Sequence, residues 1–156
     1  MYCTEFTSPI GPLYVISDGY AITHLLMEPT CSFDIQAEKC PVLIAAVRWL
    51  YDYFRGNPRE IDFPLAPEGT EFQQRVWEQL KTIPYGITCT YGDIAREIGC
   101  RSAQAVGQAV GANPIAVIIP CHRVIGAKGQ LTGYAWGTEK KKWLLEQEAR
   151  KKEIVL

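Results

Sequence analysis

Residues 113–124 read Asn-Pro-Ile-Ala-Val-Ile-Ile-Pro-Cys-His-Arg-Val, and this stretch decides how the rest of the chain is interpreted. Its five apolar residues, Ile115 to Ile119, lie between two prolines. A short apolar run between such breakers is typical of a buried extended segment. The segment would deliver Cys121 and His122 into a turn. Because a neighbouring histidine can lower the pKa of a thiol, Cys121 is a candidate nucleophile, and a buried structural cysteine is the alternative.

The composition predicts a globular chain whose two halves differ in charge. Its 156 residues are 47% hydrophobic, which is enough for a core in one compact domain or two small ones. Residues 1–70 carry 4 Lys/Arg and 9 Asp/Glu, a net charge of −5, whereas residues 71–156 carry 12 and 8, a net charge of +4. A basic second half favours nucleic-acid contact through that half, although an ordinary solvated surface would look similar.

The six cysteines show neither a C-x-x-C pair nor the spacing of metal ligands, so we predict no metal site. The sequence has no secretory signal pattern, and its apolar runs are too short to cross a bilayer. We therefore expect a cytoplasmic protein, without membrane contact, whose cysteines are reduced thiols. The cysteines are Cys3, Cys31, Cys40, Cys89, Cys100 and Cys121.

Two domains are expected, residues 1–68 and 69–156, because a proline-rich stretch over 57–69 reads as a linker. Alternating apolar residues and turn signals predict an antiparallel sheet in the first domain, covered by a helix that opens at a proline. The predicted elements are strands over 2–7, 13–17 and 20–27 and a helix over 41–55.

Capping signals predict a mostly helical second domain. Helices are expected to begin after Thr70, Thr90, Ser102 and Thr138. The short turn at Gly99, between the second and third of these helices, predicts a helix-turn-helix. In the third helix Gln104, Gly107, Gln108 and Gly111 recur on one face at helical spacing. Such a face of small, uncharged residues allows another surface to approach closely, either DNA or a second helix inside the protein.

The last helix carries a carboxylate that is expected to face inward. Glu148 lies four residues after Leu144 and three after Leu145, on the apolar side of the helix. A buried carboxylate needs a partner, and His122 is the obvious candidate. Cys121, His122 and Glu148 would then be nucleophile, base and orienting group, an arrangement that equally suits a cysteine hydrolase.

The motif Pro-Cys-His-Arg-Val, with Asn-Pro eight positions before the cysteine, resembles the active-site signature of the O6-alkylguanine-DNA alkyltransferases. The resemblance extends from about Thr70 to Ala149 and is weaker over the N-terminal part. It implies an α/β (α+β) fold. In this fold a small N-terminal antiparallel sheet with a helix, ribonuclease-H-like in the family, precedes a mostly helical domain with a helix-turn-helix.

The resemblance also implies the reaction. The alkyl group on O6 of guanine, and on O4 of thymine, in double-stranded DNA would move irreversibly to Cys121 after the nucleotide is flipped out. A thioether has no easy leaving step, so each molecule would react once. No cofactor is expected, and the protein would act as a monomer. A damage sensor that binds DNA without transfer is a further alternative.

Roles near the flipped base are implied by the same resemblance. Asn113 would brace the turn of the cysteine, and Tyr91 would place its hydroxyl near guanine N3. The carbonyls of Cys121 and Val124 would receive the guanine amino group, whereas Tyr134 and the N–H of Ala135 would face O6. Arg123 is expected to be structural or close to a phosphate.

The family lays the second helix of its helix-turn-helix into the minor groove of DNA. Gln104 stands where the family usually has an intercalating arginine, so we expect flipping to survive with a more modest affinity. The residues expected to contact DNA are Arg101, Ser102, Gln104, Gly107, Gln108 and Gly111.

Overall fold

A computed structural model of the chain describes residues 1–29 and 36–154, with side chains as far as Arg150. The chain divides into two compact units. The first contains residues 1–68 together with 114–118, and the second contains residues 69–113 together with those from 119 onward.

The first unit is built on a three-stranded antiparallel sheet, as the sequence predicts, and its strands lie side by side in chain order. The strands are β1 (Tyr2–Ser8), β2 (Gly11–Ser17) and β3 (Ile22–Leu26). The third strand is shorter than the predicted range of 20–27, and a register shift between Ile16 and Ser17 interrupts the β2–β3 ladder.

Two distant segments of the chain cover the free edge of β3. Ile22 donates its backbone N–H to Pro64 O at 3.0 Å, and Leu25 donates to Pro114 O at 2.9 Å. The backbone N–H of Ala116 returns a bond to Leu25 O at 3.2 Å, which places residues 114–118 in this unit. The predicted extended run is buried, but it turns at Val117, whose φ of 68° is unusual for a β-branched residue.

Helix α1 (Pro41–Phe54) packs against the sheet, with a short 3₁₀ turn, Ala37–Lys39, before it. Leu43 and Leu50 are buried. Val47 is only half-buried, whereas Trp49 lies inside and donates its indole N–H to Arg59 O at 2.9 Å.

The second unit is mostly helical. Its helices are α2 (Glu71–Leu80), α3 (Tyr91–Ile98), α4 (Ala103–Gly111) and α5 (Thr138–Ile154), and two short parallel strands pair as β4 (Cys89–Thr90) and β5 (Val124–Ile125). The predicted capping boxes at Thr70 and Thr90 are both formed, and Ser102 caps α4 through its hydroxyl. Gly99 ends α3 with a φ of 71°, where the absence of a Cβ removes the steric cost. Helices α3 and α4 therefore form the predicted helix-turn-helix.

One prediction about the cysteines is wrong. Cys3 is disulfide-bonded, whereas Cys40, Cys89, Cys100 and Cys121 are free thiols, and Cys31 lies outside the described residues. The expectation rested on compartment and on spacing in the sequence, and neither reveals which sulfur atoms the fold brings within bonding distance. Within residues 1–29 and 36–154, no helix has both the length and the apolar character needed to cross a membrane.

Candidate active site and nucleic-acid interface

Cys121, His122 and Arg123 form a single 3₁₀ turn, the reactive turn, and all three are buried. The backbone N–H of Cys121 donates to Ile119 O at 2.7 Å, across Pro120, which starts the turn with φ −80° and ψ 65°. Asn113 donates its side-chain N–H to the same Ile119 oxygen at 2.9 Å. The side chain predicted to brace the cysteine therefore binds the backbone immediately before the reactive turn.

Burial raises the pKa of the Cys121 thiol above its ordinary value. A hydrogen bond from Asn113 and the positive charge of Lys141 act in the opposite direction without overcoming the effect of burial. Cys121 is only 7% exposed and is a free thiol. At neutral pH the sulfur is therefore protonated, and its reaction as a thiolate requires a base.

His122, the candidate base, lies beside a carboxylate that fixes the orientation of its ring. Its Nε2 lies 2.7 Å from Oε2 of Glu148, so the predicted contact between the two side chains is present. Burial lowers the pKa of His122, although the hydrogen bond and charge of Glu148 act against that change. A neutral imidazole beside a carboxylate donates its Nε2–H, which leaves Nδ1 as the proton acceptor.

Glu148, on α5, accepts hydrogen bonds from several donors besides His122. The backbone N–H of Gly86 donates to Oε1 at 3.0 Å, and Arg123 donates from Nε to Oε1 at 2.9 Å and from Nη2 to Oε2 at 3.1 Å. Burial would raise the pKa of Glu148, but the bonds and charges of His122 and Arg123 lower it to about 2. Arg123 also donates from Nη1 to Ile83 O at 2.7 Å, so its guanidinium binds protein groups.

Lys141 is a buried residue of this site that the sequence analysis did not identify. Its ammonium donates to Val124 O at 2.6 Å and to Thr132 O at 3.0 Å, and burial lowers its pKa. The signal was present in the sequence, because Lys141, Leu144 and Glu148 share one side of α5 at helical spacing. Lys140 and Lys142 flank Lys141, and three consecutive lysines are typical of a solvent-exposed stretch, so the run itself did not indicate that one of them is buried.

The residues expected to hold the flipped base differ in their exposure to solvent. Tyr91 donates its hydroxyl to Thr132 O at 2.9 Å, and burial raises its pKa. Tyr134 is buried, and burial also raises its pKa, whereas Ala135 is exposed. Within the described part of the chain, the Tyr134 hydroxyl has no hydrogen-bond partner.

The two carbonyls expected to receive a guanine amino group each accept one internal hydrogen bond. Cys121 O accepts the backbone N–H of Val124, and Val124 O accepts the ammonium of Lys141. Because a carbonyl oxygen has two lone pairs, each retains the capacity for a second donor.

The small-residue face of α4 consists of Gln104, Gly107, Gln108 and Gly111. Both glutamines are exposed and both glycines are half-buried, while Arg101 and Ser102 before the helix are exposed. A Cβ added at Gly107 would come no closer than 3.7 Å to the ring of Tyr91, an ordinary contact, so packing within this unit does not require glycine there. On the inward side of α4, Val106, Ala109 and Val110 are buried, whereas Ala103 is exposed.

The predicted absence of a metal stays a prediction. The described side chains include no group of three His, Cys, Asp or Glu placed as metal ligands would be.

Comparison with known proteins covers both units. Residues 71–150 match the family described as 6-O-methylguanine DNA methyltransferase, DNA binding domain, and residues 1–67 match its ribonuclease-like domain. A methylated-DNA–protein-cysteine methyltransferase of Methanosarcina acetivorans is 46% identical over 153 residues, which cover 95% of this chain and 98% of the relative. The protein of the same name from Mycobacterium bovis is 49% identical over 145 residues, covering 90% and 88%.

Solved structures agree with the sequence relatives. The crystal structure of Mycobacterium tuberculosis OGT in complex with DNA superposes with a TM-score of 0.85 at 47% identity, covering 94% of this chain and 92% of that one. An O6-methylguanine DNA methyltransferase from Methanococcus jannaschii gives a TM-score of 0.70 at 30% identity, covering 96% and 93%.

Proposed function

We propose, from the premise that the chain belongs to the 6-O-methylguanine DNA methyltransferase family, that it repairs DNA by direct reversal of alkylation. It moves the alkyl group from O6 of guanine, and from O4 of thymine, in double-stranded DNA to Cys121. One observation carries the proposal: a buried free thiol shares its turn with an imidazole that is hydrogen-bonded at 2.7 Å to a buried carboxylate.

In the proposed transfer, His122 takes the thiol proton of Cys121, directly or through a water. The sulfur attacks the alkyl carbon, a sulfur–carbon bond forms, and the carbon–O6 bond breaks with its electron pair remaining on the guanine. The guanine takes up one proton, so thiol and O6-alkylguanine become thioether and guanine. Because the thioether has no leaving step, each molecule reacts once.

We propose that the neighbouring residues bind the guanine and stabilise it as it leaves the alkyl carbon. Tyr91 donates a proton toward N3 once its hydroxyl leaves Thr132 O, and Tyr134 and the N–H of Ala135 face O6. Protonation or hydrogen bonding at these atoms stabilises the charge that develops as the carbon–oxygen bond breaks. Val124 receives the guanine amino group on its carbonyl, and Asn113 holds the approach to the reactive turn.

DNA binds, in this proposal, against the small-residue face of α4 and the two residues before the helix, Arg101 and Ser102. Exposed glutamines and half-buried glycines let the helix approach a groove closely. Gln104 fills the space of the flipped nucleotide without adding charge. Flipping is needed because a buried thiol cannot reach the alkyl carbon on O6 while the guanine is stacked in the duplex.

We further propose that the protein works as a monomer, without a cofactor, in the cytoplasm. The proposed chemistry needs only the thiol, the imidazole and the substrate. A nucleophile that must remain a free thiol suits a reducing compartment, whereas the disulfide of Cys3 is a bond more typical of an oxidising one.

The test is intact-mass spectrometry after incubation with a duplex that carries one O6-methylguanine. We expect a gain of one methyl group per protein, located on Cys121, and no gain in the Cys121→Ser variant. Cys89→Ser, which removes another free and half-buried thiol, is the matched control and should still gain one methyl group.

Two other outcomes would replace the proposal. Lesion binding by the folded wild type without any mass gain would identify a damage sensor. Repeated cleavage of an ester substrate, with acyl groups gained and lost at Cys121, would identify a cysteine hydrolase.

A further inference from the structure

We propose that Arg123 is a positioning residue that keeps His122 in its neutral, proton-accepting form by sharing the carboxylate of Glu148. This inference rests on the proposed transfer reaction and assigns to Arg123 an effect on the proton acceptor rather than a contact with DNA.

Arg123 is a fixed positive charge inside the protein. Its side chain is 10% exposed, and two of its nitrogens donate to the two oxygens of Glu148 at 2.9 Å and 3.1 Å. The third nitrogen donates to Ile83 O at 2.7 Å, and the guanidinium lies 5.6 Å from the ring centroid of Tyr85. Because a guanidinium does not lose its proton in proteins, this charge is present throughout the pH range of the reaction.

The carboxylate of Glu148 accepts hydrogen bonds from His122, Arg123 and the backbone of Gly86. Oε2 accepts from His122 and from Arg123, while Oε1 accepts from Arg123 and from the backbone N–H of Gly86. The bidentate pair with Arg123 neutralises most of the negative charge that His122 would otherwise face alone. Without that pair, the buried carboxylate would favour the imidazolium strongly, because an opposite charge in contact stabilises the charged form.

Among the described residues, the charged groups that face His122 have opposing effects on the charge of its ring. Helix α5 contributes Glu148, which favours the imidazolium, and Lys141, which opposes it. The reactive turn contributes Arg123, which also opposes it, and the protonated thiol of Cys121. Burial is the largest influence and lowers the pKa of His122, and the two cations act in the same direction. Removing Arg123 would leave only burial and Lys141 to counteract the effect of Glu148, which raises the pKa of His122.

A neutral His122 matters for the reaction because an imidazolium cannot accept the thiol proton. If Arg123 sets this state, its loss must move the pH at which transfer begins. If Arg123 only supports the fold, its loss must slow transfer by the same factor at every pH. The pH dependence therefore separates the two roles.

The experiment measures the single-turnover rate of methyl transfer between pH 5 and 9 for wild type, Arg123→Lys and Arg123→Met. We expect the acid limb of the Arg123→Met profile to lie about one pH unit above that of the wild type. The rate should recover at alkaline pH, and Arg123→Lys, which retains a cation, should lie between the two. Parallel profiles for all three folded proteins would overturn the inference.

A second measurement reports the charge on His122 without activity. His24 and His122 are the two histidines of the chain, so ring ¹⁵N spectra recorded in a His24→Gln background report His122 alone. We expect His122 to gain its proton at higher pH in Arg123→Met, and in Arg123→Lys to a lesser degree. Arg123→Lys tests the inference even if Arg123→Met does not fold, and an unchanged His122 titration in Arg123→Lys together with a parallel rate profile would reject it.

Failure of the inference and failure of the proposed function are distinguishable. A wild type that transfers no methyl group would refute the proposed function, whereas the ring spectra would still show whether Arg123 controls the charge on His122. A wild type that transfers normally beside variants with parallel profiles would refute the role of Arg123 alone.

Discussion

The reactive turn and the small-residue face of α4 lie in the same compact unit, but they differ in burial and in how their polar groups are paired. Around the reactive turn each described charge is buried against a partner: Glu148 binds Arg123 and His122, and Lys141 binds two backbone carbonyls. On the face of α4 the glutamines are exposed, and the space beside Gly107 is wide enough for a methyl group.

This difference separates two kinds of constraint. Residues around the reactive turn support the fold, because removing one member leaves a buried charge without its partner, and in the proposed function the same residues carry out the transfer. The glutamines on the face of α4 are exposed and its glycines have room for a methyl group, so in the proposed function these residues serve DNA binding more than folding. Substitutions in the first region should therefore change stability and rate together, and substitutions in the second should change DNA binding alone.

The largest effect is expected from Glu148→Gln. The variant leaves Arg123 buried without its carboxylate, which costs about 3 kcal/mol of the free energy of unfolding. The pKa of Glu148 falls from 4.5 to about 2 on folding, so the unfolded chain binds more protons between these values. The contribution of Glu148 is therefore complete above about pH 4.5 and lost as the pH falls toward 2. Urea unfolding at pH 7, 4 and 3 measures both effects.

Glu146→Gln is the matched control on the same helix. Glu146 is more than half exposed, and its carboxylate lies 3.9 Å from Lys142, an exposed pair that contributes little. We expect a change below about 0.5 kcal/mol. Equal losses of unfolding free energy in Glu148→Gln and Glu146→Gln would mean that the buried hydrogen bonds of Glu148 do not stabilise the protein more than an exposed ion pair does.

A smaller effect, confined to binding, is expected from Gln104→Arg. The added charge can contact one phosphate, so the plot of log affinity against log salt concentration should become steeper by about one. The free energy of unfolding should remain within about 0.5 kcal/mol, because the position is exposed. Fluorescence anisotropy on a lesion duplex at several salt concentrations gives the slope. Glu146→Gln on α5 changes the net charge by the same amount. An identical change of slope in that variant would mean that the effect comes from net charge and not from a DNA contact at position 104.

Local signals predicted much of the second unit because they act over a few residues. The capping boxes at Thr70 and Thr90 and the stop at Gly99 follow from hydrogen bonds and backbone angles within one turn, and all three are present. The contact between His122 and Glu148 followed from a different rule, that a carboxylate on an apolar helix side needs a partner.

The features that the sequence did not predict depend on contacts between distant residues. The disulfide of Cys3 and the buried ammonium of Lys141 require knowledge of which atoms meet after folding. The turn at Val117 replaces the expected extended backbone because residues 114–116 leave the edge of β3 there. The roles of α4 in DNA binding stay predictions, since they depend on a partner molecule.

The smallest expected effect is the sharpest test of the difference between the two regions. Gly107→Ala adds a methyl group whose nearest neighbours are ring atoms of Tyr91 at 3.7 and 3.8 Å, and alanine favours a helix by about 0.5 to 1 kcal/mol over glycine. We expect the variant to be slightly more stable and to bind a lesion duplex more weakly, because the methyl group stands between the helix and DNA. Gly92→Ala makes the same change in α3, also 3.7 Å from its nearest neighbours, and should affect stability only. Lower stability with unchanged binding in Gly107→Ala would instead mean that the glycine serves packing inside the protein, and the face of α4 would then be constrained as the reactive turn is.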